Sequence, residues 1–151
     1  SKFQKGLDEV TTQLAKQIVV DGEGATKLIE VVVNGAENNT QAKNVSMNIA
    51  NSLLVKTAIA GEDANWGRII MAIGKSSATL DQSNISIKIG SYVIINKGKL
   101  NRNYNEALVT KYLKKKEILI TIDLFVGKGS CKVWTCDLTK RYIEINADYR
   151  S

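Results

Sequence analysis

The sequence predicts an α+β fold, with helices layered on a mixed sheet. Three observations predict it. Apolar residues near the start recur with helical spacing, several short runs of branched apolar residues have strand length, and the later half groups strands as neighbours with separate helices.

Each element has its own signal. Phe3, Leu7, Val10, Leu14 and Ile18 follow one another at spacings of four, three, four and four, one face of an amphipathic helix that "DGEG" ends. "TKLIEVVVN" is rich in branched apolar residues and reads as a mostly buried strand. Asn39 or Thr40 can cap a second helix that turns Ala42, Val45, Ile49 and Leu53 inward. "LLVKTAIAG" reads as extended, and "EDANWGRIIMAIGK" as a turn feeding a third helix with Trp66, Ile69, Ile70 and Ile73 on one side. The polar, non-periodic "SSATLDQSN" is the candidate lobe boundary, near 76–84, of an otherwise single unit spanning 1–151. "ISIKIGSYVIINKGKL" follows as two strands joined at a glycine, then "NYNEALVTKYLKK" as a helix capped by Asn103 or Asn105. "EILITIDLFVGKGSCKVWTCDL" reads as a hairpin with its turn at "GKGS", and "KRYIEINADYRS" alternates as a final strand.

Composition narrows the function classes. The 151 residues include no histidine, which removes the usual general base, the histidine-activated serine or cysteine nucleophile and the commonest metal ligand. No metal site is expected. Cys131 and Cys136 are five apart on one expected strand, so they point to opposite faces and neither bond nor share a metal. Unpaired cysteines point to a reducing compartment, and no apolar stretch reaches membrane-spanning length or forms a leader, so a cytoplasmic protein without a membrane partner is expected. The net charge is +6, but lysines outnumber arginines 17 to 4 and are scattered. The one run, Lys114 to Lys116, suits the end of a helix, so no nucleic-acid partner is expected.

Three stretches hold polar groups that could carry chemistry. In "DGEGATK", Asp21 and Glu23 either decorate a glycine-assisted helix stop, or Glu23 is a carboxylate that small neighbours leave open to an ammonium ligand. The spacing and charge exclude a phosphate loop. In "GEDANWGRI", Glu62, Asp63 and Arg68 surround a helix start with Asn65 as its cap, either as a local ion pair or as a pocket wall. In "INADYRS", the end of the sequence is either a short polar tail or an ordered segment placing Asn146 and the Ser151 hydroxyl beside a site.

Together, "IVVDGEGATKLIEV", "LVKTAIAGEDANWGRIIMAIGK" and "WTCDLTKRYIEINADYRS" resemble, in order and separation, the C-terminal part of the β chain of ornithine acetyltransferase, also called glutamate N-acetyltransferase. The resemblance implies that family's layered α+β fold. It implies acetyl transfer from N-acetylornithine to glutamate, in arginine biosynthesis, through an acetyl-enzyme on a threonine freed by autocleavage. Glu23 and Asn146 match the family's substrate-binding glutamate and asparagine, and Ser151 stands where the family usually has a threonine lining the site. Ala64 stands where the family tends to have proline.

The family's nucleophile, autocleavage motif and oxyanion hole lie upstream of the region matched, so no catalytic residue is assigned here and the chain alone is expected to be inactive. The implied partners are the upstream α and β segments of the same precursor, in a heterotetramer. No cofactor is expected, and the resemblance admits acetyl-CoA as a second acetyl donor. A reading of a different class is a non-catalytic amino-acid-binding module derived from the same fold.

Overall fold

A computed structural model of the chain describes residues 1–76 and 80–149. Helix α1 spans Lys2–Val20 and opens on Ser1, whose side chain accepts from the Gln4 N–H. Strand β1 spans Leu28–Ala36 and leads into α2, Asn39–Ala50. The cap of α2 is Asn38 rather than Asn39 or Thr40, and its side chain accepts from the Gln41 N–H. Helices α3, Leu53–Ala60, and α4, Trp66–Gly74, follow.

Strands β2, Ser86–Ile89, and β3, Tyr92–Asn96, turn at Gly90 with φ of 60°, and β4 is the pair Lys99–Leu100. Helix α5, Glu106–Leu113, is capped by Asn105. Strands β5, Glu117–Asp123, and β6, Gly129–Cys136, precede the last helix, α6, Lys140–Ala147.

The sheet has six strands in the order β4-β3-β2-β5-β1-β6. β1 runs parallel to β5 and antiparallel to β6, so the sheet is mixed. Register stacks Ile89, Ile120, Val31 and Val133 in one row and Ile87, Ile122, Val33 and Cys131 in the next. These rows face α2 and the helices beyond it, where Val45, Ile49, Ile69 and Ile73 complete the core. Cys131 packs on that face, and Cys136, paired with Leu28, points to the other. Strands from both sides of the 76–84 stretch join this one sheet, and residues 77–79 of it lie outside the described residues.

Three elements differ from expectation. "LLVKTAIA" is the helix α3, not an extended run. Ser52 caps it, and Val55, Ala58 and Ile59 turn inward at helical spacing while Leu53 stays exposed. "KRYIEINA" is α6, not a strand. An apolar alternation this short fits either state, and Thr139 stands at the N-cap.

The third is the hairpin. β5 and β6 are not neighbours, because β1 lies between them. The chain from Leu124 crosses the end of β1, where the Leu124 N–H donates to Asn34 and the Val126 and Gly127 N–H groups donate to Gly35. Two inter-strand steps are about 10 Å, within reach of a five-residue link, so the local signal of a hairpin and of this crossing is the same.

Candidate functional site

The "DGEG" corner connects α1 to β1. The Gly22 N–H donates to Val19 and the Ala25 N–H to Gly22, which coils the chain tightly between the two elements. Gly24 has φ of 71°, and a Cβ there would sit 2.7 Å from the Tyr142 backbone nitrogen. Only glycine accepts both constraints at low cost. The corner therefore rests on the first turn of α6, and the Thr139 hydroxyl donates to the Gly24 carbonyl at 2.6 Å.

That contact brings two of the singled-out residues together. Asn146 Nδ2 donates to Glu23 Oε2 at 2.8 Å, across 123 residues of sequence, and to the Tyr142 carbonyl at 2.9 Å. Both side chains are exposed. Glu23 makes no ion pair among the described residues, and the neutral Asn146 amide occupies one of its two carboxylate oxygens. Ser151 lies outside the described residues.

Three polar residues behind the corner were not singled out by sequence. Asp137 is 2% exposed, and its Oδ1 accepts from the Thr26 and Lys27 N–H groups, both at 2.8 Å. Its Oδ2 accepts from the Thr26 hydroxyl. Lys27, also buried, donates from Nζ to the Leu113 carbonyl at 2.8 Å, where α5 ends, and pairs with Glu62 at 3.5 Å. The third is Thr139. The signal for Asp137 and Thr139 was faint: "CDLT" places an acid and a hydroxyl just after an apolar strand, a pattern shared by ordinary turns.

In "GEDANWGR" the side-chain contacts among the described residues tie elements together, and Gly61 lines a cavity. Glu62 ends α3 with φ of 56° and pairs with Lys27 rather than with Arg68, so the expected local ion pair is a longer-range one. Arg68 Nη1 donates to the Leu54 carbonyl at 2.9 Å and the Thr57 hydroxyl at 3.2 Å, tying α4 to α3. Asn65 stands at the cap of α4 without a side-chain capping bond, and its amide donates to Asp63 instead. Trp66 packs half-buried against the core.

Beside the corner is a mainly apolar cavity of about 390 Å³, lined by Thr57, Ala60 and Gly61 of the α3 end and by Leu138, Thr139, Lys140 and Ile143. Thr139 is thus shared between the cavity wall and the Gly24 contact. Among the described residues, no cluster of histidine, cysteine or acidic side chains is arranged to hold a metal ion, and no helix is long and apolar enough to cross a membrane.

The corner and α6 meet at Gly24 and Glu23, and comparison with known proteins gives the chain a family. The model of the ArgJ family matches residues 1–151. The chain belongs to the ArgJ family. It is 52% identical over all of its length to the arginine biosynthesis bifunctional protein ArgJ of Ruegeria pomeroyi, and 52% identical over 99% of its length to that of Zymomonas mobilis. The chain spans 37% of the length of each of these curated ArgJ relatives. A crystal structure of the arginine biosynthesis bifunctional protein ArgJ from Bacillus halodurans superposes with a TM-score of 0.95 at 48% identity, covering 98% of this chain and 70% of that one. The layered α+β arrangement is therefore that of the ArgJ family.

Proposed function

We propose that these residues supply part of the amino-acid pocket of a glutamate N-acetyltransferase, which moves an acetyl group from N-acetylornithine to glutamate in arginine biosynthesis. The observation that supports this reading is the 2.8 Å contact between Asn146 and Glu23. It gives two sequence-distant polar residues a joint position, and it leaves a carboxylate with acceptor capacity for a substrate ammonium. Ser151 is proposed to add its hydroxyl to the same pocket.

In this reading a threonine hydroxyl on an upstream segment attacks the acetyl carbonyl, the ornithine amine leaves, and the glutamate amine then takes the acetyl group from the threonine ester. The residues described here bind and orient; they do not form the acyl bond. With no histidine in the sequence, none supplies the imidazole that usually activates a nucleophile. The upstream α and β segments of the same precursor are the proposed partners, in a cytoplasmic heterotetramer, with acetyl-CoA as a further candidate acetyl donor.

The test is to assay acetyl transfer by these 151 residues alone and in assembly with the remaining family segments. The reading expects no turnover from the first and turnover from the second. Turnover by the isolated chain would overturn the division of labour.

A further inference from the structure

We propose that Asp137 is a positioning residue for the amino-acid pocket, setting where Glu23 and Asn146 meet. The inference rests on the reading that those two side chains contact the substrate. It starts from a mismatch: Asn146 sits on a helix that has no buried residue of its own. With no buried side chain in α6 and only its first turn resting on Gly24, its direction depends strongly on the residues that lead into it.

Those residues are anchored one after another to three different places. The Asp137 carboxylate takes the Thr26 and Lys27 N–H groups and the Thr26 hydroxyl, while its own N–H donates to the Lys27 carbonyl at 3.2 Å. The Leu138 N–H donates to the Lys56 carbonyl of α3 at 3.2 Å. The Thr139 hydroxyl donates to the Gly24 carbonyl. Asp137 and Thr139 thus grip the chain on both sides of Ala25, immediately after Glu23, and the same tripeptide launches α6.

Asp137 is the strongest of the three anchors. A buried carboxylate with three directed donors makes charge-assisted bonds, stronger than the neutral ones made by its neighbours. Asn146 lies six residues past Lys140, about 9 Å along the helix, so a tilt at the start is carried in full to its amide. A displacement of about 1 Å in a group that positions substrate can cost about a hundredfold.

The experiment uses the assembled enzyme with Asp137→Ala, Thr139→Val and Glu23→Ala, singly and combined. Asp137→Ala is expected to raise KM for the amino-acid substrates about 10- to 100-fold, with kcat within about threefold because the reacting threonine lies elsewhere. Thr139→Val is expected to do the same to a smaller extent, and it decides the matter if the alanine variant does not assemble. A residue acting through Glu23 and Asn146 loses the Glu23 share of its effect once Glu23 is gone, so adding either change to Glu23→Ala should raise KM by clearly less than the same change does on its own.

Multiplicative effects, or a fall in kcat at constant KM, would overturn the positioning role. If Glu23→Ala raises KM while Asp137→Ala and Thr139→Val do not, this inference alone falls. If Glu23→Ala leaves KM unchanged, the pocket reading and this inference fall together.

Discussion

The two faces of the sheet are built from the same strands and have different fates. On one, Ile29, Val31, Val33, Ile118, Ile120 and Ile122 are at most 2% exposed beneath the helices. On the other, the alternate residues Leu28, Glu30, Val32, Leu119 and Thr121 are only half-buried. α1 crosses this second face through polar contacts. Lys16 lies 5.3 Å above the Trp134 ring, and the Trp134 indole donates to Glu30 at 2.7 Å.

The apolar stripe of α1 meanwhile points away, with Phe3 80% and Ile18 74% exposed. The first face is a finished core, and its energy comes from burial. The second offers an apolar stripe and a half-covered sheet, surface that a folded protein ordinarily buries against something.

This contrast can be broken by mutation. Ile120→Ala removes a fully buried side chain from the middle of the finished face and should cost about 2–5 kcal/mol in denaturant unfolding, whereas Val32→Ala, on the other face, should cost less than about 1 kcal/mol. Equal losses would mean that both faces are packed alike. Trp134→Phe keeps most of the ring and loses the donor to Glu30, for an expected loss of about 1 kcal/mol. Leu14→Ala, on the exposed stripe, should change the stability of this chain by no more than about 0.5 kcal/mol. A larger loss would show that the stripe is packed within these 151 residues.

The sequence made the strands of the finished face legible because branched apolar residues there recur densely and have one reading. It also made α1 legible as a helix, but not which way its stripe would face, since periodicity reports a shared side and not what covers it. α3 and α6 differ from expectation for a common reason: over eight residues a helix and a strand offer overlapping apolar patterns, and only α3 has a side-chain cap, Ser52, to decide between them. The separation of β5 from β6 by β1 is a matter of long-range pairing that no local turn encodes.

At the site, family motifs mark Glu23 and Asn146, whereas their own chemistry favours a turn over a pocket for Glu23 and leaves tail and pocket even for Asn146. Asp137 escaped notice because a buried acid is distinguished by its donors, and those come from residues 110 and 111 positions away.

The most direct measurement is steady-state kinetics of Glu23→Ala in the assembled enzyme, with N-acetylornithine and glutamate varied in turn. Glu23 is exposed in these 151 residues, and if the assembled enzyme encloses it, losing a carboxylate–ammonium contact is worth about 2–4 kcal/mol, which corresponds to a KM about 30- to 1,000-fold higher. That increase, with the enzyme still folded, is the predicted result. Unchanged KM values for both substrates would contradict the account and return Glu23 to the role of a solvated turn residue.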